Sequence, residues 1–526
     1  MMTAAHARRL VYLIHRWTGV GACVLMALWL VSGTVMLFVG YPRLLPHERL
    51  QPLPVLQPAA CCVAVEAALS HSRAPSEVRA ITLTSVAGQP RYRLTEGAGG
   101  FLMVDATTGR RVPAVDAAAA ADSARAFLPG AAARVEGLVV DDRWTHSGAL
   151  DAHRPLFRVQ MQDADGTVLY VSSATGEVVM DASAVQRGWN YVGAWLHWLY
   201  MFRDGSRDPV WSWLVIALSA VGTVSALTGA VAGIWRWRFS GRYRSGARTP
   251  YREWRMRWHH IAGLTFGGVL VTWIFSGLMS MNPFGMFDPA GERPDAGAYR
   301  QGLPGALRPD ITARDALAQL REAHFPASEI EWRVMAGEPY LLARDATGET
   351  RLLLAQAHGY AVRERWPDER LVGAGTHLMT SGIRAARPQY AYDAYYYARN
   401  EASMYAGAER RLPVLKLEFD DAGRTSVWLD PHTGDVALSL DRSQRTGRWL
   451  FNFLHSWDLP PMLRQATARD AVLIALSLGA LAIAATGTLI GWRRLKTFCC
   501  HRFRNMRRRP VAGHMDMAER AGEEAG

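Results

Sequence analysis

Residues 258–287 read WHHIAGLTFGGVLVTWIFSGLMSMNPFGMF, thirty positions without an aspartate, glutamate, lysine or arginine. A helix needs about 20 apolar residues to cross the hydrocarbon core of a bilayer. Buried helices of soluble proteins rarely run so far without charge. Three further segments share the property: Trp17 to Pro42, Pro209 to Trp235 and Ala471 to Trp492. The chain is therefore expected to cross a membrane four times. Between the crossings lie polar stretches of ordinary globular composition.

The formal net charge of +12 is unevenly placed. From Arg236 to Trp258 there are eight arginines and one glutamate, and from Arg493 to Arg509 eight basic residues and no acid. Arg8 and Arg9 precede the first apolar segment. Short basic flanks mark the cytoplasmic side, so both termini are expected inside and the long loops outside. The charge is thus a topology signal that also suits a hold on anionic lipid, and it gives no reason to expect nucleic acid. The first apolar segment is too long for a cleaved signal peptide and lacks a small-residue cleavage site, so it reads as an uncleaved anchor. The five cysteines include the adjacent Cys61 and Cys62, which are not expected to bridge each other. No cysteine spacing suits a metal site.

The pattern repeats along the chain. His15-Arg-Trp-Thr-Gly19 opens the first span and Ser32-Gly33 lies near its end; His259-His260-Ile-Ala-Gly263 and Ser276-Gly277 do the same in the third. The histidine-to-glycine offset is 18 in both (33 − 15 and 277 − 259), and Trp29 matches Trp273. Leu196-His197-Trp198 precedes the second span and Leu454-His455-Ser456 the fourth. The offset from histidine to Thr228 or Thr486 is again the same (228 − 197 and 486 − 455). The expected fold is an α-helical membrane protein, a four-span bundle made by internal duplication. Two exported α+β loop domains, 43–188 and 288–447, complete it. The remaining parts are a first span within 8–42, a third within 258–287, interfacial segments with their following spans at 189–238 and 448–495, a basic link at 239–257 and a basic tail at 496–526.

Within the loops, Ala59 to Ser72 reads as helix, and Val78–Thr84 and Pro90–Thr95 as strands. Val104-Asp-Ala-Thr-Thr-Gly109, Val171-Ser-Ser-Ala-Thr-Gly176, Leu429-Asp-Pro-His-Thr-Gly434 and Arg344-Asp-Ala-Thr-Gly348 each read as a strand running into a tight turn. A closing glycine suits a position of positive φ. The expectation is two small helix-plus-sheet units per loop. Tyr390-Ala-Tyr-Asp-Ala-Tyr-Tyr-Tyr397 reads as a half-buried strand, or as rings that stack on an aromatic ligand or the membrane interface.

Together these features resemble the PepSY-associated transmembrane family of bacterial inner-membrane proteins. The pieces that carry the likeness are His15-Arg-Trp-Thr-Gly19, Trp258-His-His-Ile-Ala-Gly263, Phe275-Ser-Gly-Leu-Met-Ser-Met281 and Arg448-Trp-Leu-Phe-Asn-Phe-Leu-His-Ser-Trp457. The exported units with their D-x-x-T-G turns are similar to PepSY domains. Some family members are haem-containing ferric-siderophore reductases, and the resemblance implies that activity here.

The histidines suit such chemistry. Pseudo-twofold symmetry would set His15 across from His259 at one face and His197 across from His455 at the other. Facing imidazoles between helices are what a six-coordinate b-type haem requires. The four histidines are therefore candidate ligands of two haems, with His260 as an alternative to His259. A histidine at a helix end near water is also inexpensive, so any one of them could be merely structural. Met279, Met281 and Met286 admit Cu(I), or simple packing. No dinucleotide fingerprint, Walker loop or HExxH is present, so electrons would come from a quinol or a partner reductase. The acceptor would be a ferric siderophore or another periplasmic ferric chelate. The alternative is a non-catalytic envelope protein whose loops bind or restrain a partner such as a protease. Reporter fusions after Arg43, Asp288 and Gly526 test the topology: the first two should report an exported position and the last a cytoplasmic one.

Overall fold

The four uncharged segments become four long helices: α1 (Ala4–Val35), α2 (Pro209–Arg236), α3 (Trp254–Ser280) and α4 (Ala466–Arg507), of which Ala466–Thr497 is apolar enough to span. They are seen in a computed structural model that describes residues 4–59, 61–97, 99–205, 208–399 and 409–507. The tail beyond Arg507 lies outside the described residues. α1 stops at Val35, short of the expected Pro42, and α3 stops at Ser280, where Asn282 takes a left-handed conformation. About a third or less of each apolar stretch is covered by protein. Large side chains such as Trp17, Val24, Leu478 and Trp492 stay exposed. Apolar surface on this scale requires lipid, and the chain is a membrane protein.

The fold divides into two compact units. One comprises residues up to 27, 221–271 and from 478 onward; the other comprises 28–220 and 272–477. The four helices alone supply the regular structure of the first unit among the described residues. The second unit adds the loops, which form fifteen strands among the described residues.

Those strands make three antiparallel sheets. One runs β11-β10-β9-β8-β1-β2-β3, with β1 Ala80–Val86, β2 Gln89–Glu96, β3 Gly100–Asp105, β8 Glu329–Met335, β9 Glu338–Arg344, β10 Thr350–Ala355 and β11 Tyr360–Arg363. A second holds β4 Ala133–Val139, β5 Leu156–Met161, β6 Val168–Ser172 and β7 Val178–Ala182 in sequence order. The third holds β12 Ile383–Gln389, β13 Val414–Phe419, β14 Ser426–Leu429 and β15 Val436–Leu440.

The two loops do not stand as separate domains. β1 of the first pairs with β8 of the second, Ile81 opposite Trp332 and Leu83 opposite Ile330. The ladder joins their backbones, and one apolar core takes Tyr92 and Leu94 together with Leu341 and Leu353. Within each loop the element order still gives two helix-plus-sheet groups. The helix expected over Ala59 to Ser72 shrinks to Val65–Leu69, after a disulfide between Cys61 and Cys62. That bridge runs against the expectation for adjacent cysteines, and it places Cys61 in the shared core. The tight turns are as read: Gly109, Gly176, Gly348 and Gly434 all have φ between 71° and 88°. In three of them the turn aspartate, Asp105, Asp345 or Asp430, accepts backbone N–H bonds inside the turn. The tyrosine run 390–397 is not a strand. It is an irregular segment fixed by its rings, with Tyr396 stacked on Trp428.

Buried ion pairs tie these parts together. Arg49, in the short helix Pro46–Leu50, binds Glu329 of β8 through two N–H···O bonds of 2.8 Å. Arg93 of β2 pairs with Glu177, between β6 and β7, and so joins two sheets. Burial alone would raise the Glu177 carboxyl, but Arg93 and Arg49 hold it at about 2. Removing one partner of a buried pair leaves the other charge stranded, at about 3 kcal/mol. Glu329→Ala should lose about that much stability in detergent-solubilised protein, measured by thermal unfolding. Glu329→Leu combined with Arg49→Met should recover most of it.

Candidate functional site

Polar atoms inside apolar helices need partners, and the candidate histidines have found theirs. In the first unit, His15 on α1 and His259 on α3 face each other with ring centroids 6.1 Å apart and planes tilted by 31°. His15 Nδ1 lies 3.0 Å from the Ser225 carbonyl of α2. His259 Nδ1 lies 3.1 Å from the Ile483 carbonyl of α4 and 3.1 Å from Thr486 Oγ1. A carbonyl only accepts, so each Nδ1 carries the proton and each Nε2 keeps a bare lone pair.

The second unit repeats this with different acceptors. His197 and His455 have centroids 6.3 Å apart and planes at 72°. Their Nδ1 atoms lie 2.9 Å from Ser32 Oγ and 3.0 Å from Ser276 Oγ. Both hydroxyl protons are already used, Ser32 on the Leu28 carbonyl and Ser276 on the Trp273 carbonyl. The serines must therefore accept from the imidazoles, which again leaves Nε2 bare. Burial, together with His455 for His197, lowers the pKa of both rings. They lie outside the four spanning helices and stay neutral.

The partners keep a common register. His15 is as far from His259 in sequence as Ser32 is from Ser276 (259 − 15 and 276 − 32). His197 is as far from His455 as Ser225 is from Ile483 (455 − 197 and 483 − 225). A glycine lies beside every ring. A Cβ on Gly229 would come within 2.6 Å of His15 Cε1, and one on Gly487 within 3.3 Å of His259 Cε1 and 2.5 Å of Cys23 Sγ. Gly33 and Gly277 stand against the Cε1 atoms of His197 and His455 at 3.4 and 3.9 Å. The Ser-Gly and Thr-Gly pairs of the sequence thus have a job: the polar residue or its turn takes the Nδ1 proton, and the glycine leaves room for the ring.

His197 and His455 reach their places by a local device that the sequence did not suggest. Each follows a short π-helical turn, Tyr191–Trp195 or Arg448–Phe453. Each is followed two residues later by a left-handed residue, Leu199 or Trp457. Such turns recur at functional sites because they re-aim side chains.

Each pair borders a cavity. The one at His15 and His259 is about 320 Å³ and is lined by seven glycines, among them Gly263 and Gly267, with Tyr12, Arg16, Arg236, Tyr251 and Arg494 polar or charged in its wall. The one at His197 and His455 is about 440 Å³ and includes Trp29, Trp273, Arg399, Asp458, Arg469 and Asp470. Both lie within the ordinary size range of ligand sites.

His260 is not equivalent to His259. Its Nε2 donates to the Gly233 carbonyl at 2.9 Å and its Nδ1 meets Thr249 Oγ1 at 2.7 Å. With both nitrogens engaged it pins the basic link to the helices and has no lone pair to offer. Met279 is buried, Met281 lines the second cavity and Met286 is exposed.

The donor set limits what can be held. No group of three or more His, Cys, Asp or Glu gathers among the described residues. Two imidazoles retain a metal that brings its own remaining ligands. Metal–imidazole bonds of about 2 Å, placed end to end, separate ring centroids by about 6 Å, the spacing seen in both pairs. Two facing imidazoles with bare Nε2 atoms are a donor set that would suit an iron porphyrin. The chain matches no known family profile, and comparison with curated proteins finds no match.

Helix propensity favours alanine over glycine by about 1 kcal/mol, so the crowding at Gly229 can be isolated. Gly21→Ala, where a Cβ meets nothing within 4 Å, should raise thermal stability. Gly229→Ala should lower it, by about 1–2 kcal/mol.

Proposed function

We propose that this protein carries electrons across a bacterial inner membrane through two b-type haems, one between His15 and His259 and one between His197 and His455. The final acceptor is a ferric chelate, such as a ferric siderophore, on the side of the folded loops. The observation that carries this reading is the geometry of the imidazoles: two facing pairs, 6.1 and 6.3 Å between centroids, with every Nδ1 bonded to protein and every Nε2 bare. The resemblance to the PepSY-associated transmembrane family supports it on short motifs alone. The equal sequence offsets between the two halves, for histidines and acceptors alike, support descent from a duplicated helix pair.

A haem, when bound, supplies one-electron exchange between Fe(III) and Fe(II). The chain's own residues do the rest. The Nδ1–H bonds fix the tautomer and the plane of each ring, as a metal-binding histidine requires. Nε2 of His15 and His259 would hold one haem and Nε2 of His197 and His455 the other, and the chemistry supplied there would be electron exchange. A ferric chelate would meet the site at the edge formed by Trp198, Phe451 and Arg399, which line the second cavity. Electrons enter from a quinol or a partner reductase on the cytoplasmic side, where both termini lie. Fe(II) is held less well by hard oxygen donors than Fe(III), so reduction releases the metal.

The test is spectroscopic. Purified protein should show a low-spin b-type spectrum that sharpens with dithionite. His15→Ala and His259→Ala should each remove one haem, and His197→Ala and His455→Ala the other, while His260→Ala keeps both. Chemically reduced protein mixed with ferric siderophore and a ferrous-specific dye should reoxidise as the dye colours. A colourless protein, or four histidine variants with full haem content, would overturn the assignment in favour of a binding protein.

A further inference from the structure

The wall of the cavity at His15 and His259 combines apolar depth with uncompensated positive charge. Arg16, Arg236 and Arg494 all line it, and no aspartate or glutamate does. Among the described residues none of the three forms an ion pair; the nearby Glu253 is engaged by Arg255 and Arg493. All three are exposed side chains at the rim of the cavity, where an anionic group of a bound ligand can reach them. The cavity at His197 and His455 is built otherwise. There Arg469 bonds Asp470 at 3.0 Å and Arg399 pairs with Asp458, so its charges cancel internally.

Two of the three arginines share the register of the histidine frames. Arg236 and Arg494 have the same spacing in sequence as Ser225 and Ile483 (494 − 236 and 483 − 225), whose carbonyls hold His15 and His259. Each stands three residues, nearly one helical turn, beyond a cavity-lining glycine, Gly233 or Gly491. α2 and α4 therefore each present one guanidinium. That of Arg236 is steadied 4.7 Å from the Tyr12 ring centre. Arg16 has no such counterpart: the position matching it in the second half is His260, which is bonded at both nitrogens.

We infer that Arg236 and Arg494 clamp the two carboxylates of the planar ligand held between His15 and His259, and so fix which edge of that ligand faces the polar end of the cavity. The inference rests on the haem reading above, since a b-type haem carries two propionates on one edge. Guanidinium and carboxylate form paired, charge-assisted hydrogen bonds. With glycines and apolar side chains lining the remainder, a ring with two acids on one edge fits in one sense only.

The experiment uses full-length protein in neutral detergent, with His197→Ala and His455→Ala combined so that one site remains. Haem per chain is read by pyridine haemochrome, and haem retention by the rate of transfer to apomyoglobin. Arg236→Gln and Arg494→Gln should each speed transfer about tenfold or more. Arg236→Lys should recover part of the loss, and Arg493→Gln, outside the cavity wall, should change nothing. Unchanged transfer in both glutamine variants would overturn the clamp and leave the haem reading standing. So would a sensitivity to these arginines that appears only on adding phosphatidylglycerol, which would assign them to lipid phosphate. A parent protein that takes up no haem would instead sink the haem reading, and the clamp with it.

Discussion

Each of the four imidazoles gives its Nδ1 proton to a fixed acceptor of the protein, and the rest of the site follows from that bond. The acceptor decides the tautomer, the tautomer decides which nitrogen is free, and the bond direction decides where that nitrogen points. Two acceptors are backbone carbonyls in the middle of apolar helices, Ser225 and Ile483; two are serine hydroxyls whose own protons are already committed. Neither kind can donate back. Of the two neutral tautomers, the one with a bare Nε2 is the one that satisfies all of these neighbours together.

The membrane makes this arrangement economical. A charged side chain deep in apolar surroundings is costly, whereas a neutral imidazole with one satisfied N–H is not. The polar helix residues near these sites follow the same logic. Ser32, Thr228 and Thr486 turn their hydroxyl protons onto carbonyls of the preceding turn, so none of these donors is left without a partner. Space is handled by the glycines. Rings that approach a helix closely need a position without a Cβ, which is why Gly229 and Gly487 sit where the sequence merely shows a repeated Thr-Gly.

Much of this is readable from the chain, and the unreadable parts share a cause. Absence of charge over a spanning length is a local property, so the four helices are visible. The matching offsets from histidine to glycine and from histidine to threonine pick out the histidines, and helix geometry explains why they meet. The glycine turns are visible because positive φ leaves a residue-type signature. The pairing of β1 with β8, by contrast, depends on two strands far apart in sequence, and no local pattern reports it. The tyrosine run misleads for a related reason: its rings find partners in Trp428, Trp449 and Asp458 instead of in a ladder. Adjacent cysteines seldom bridge, and the buried setting of Cys61 is not visible from its neighbours in sequence. His260 separates from His259 only once Thr249 and the Gly233 carbonyl are seen to occupy its two nitrogens.

The second site is fastened to the loops as well as to the helices. Arg448, in the π-turn before His455, is buried; it bonds the Ala394 carbonyl at 2.9 Å and the Asp458 carbonyl at 3.2 Å. Asp458 in turn accepts from Tyr397 at 2.6 Å and pairs with Arg399 and Arg448. The tyrosine segment of the loop and the segment carrying His455 therefore share one charged node, with little exposure at Arg448 and Asp458. A buried network of this kind is costly to leave half-satisfied. In both pairs every Nδ1 is bonded to protein, and the segment that carries His455 is in addition tied to the tyrosine segment through Asp458.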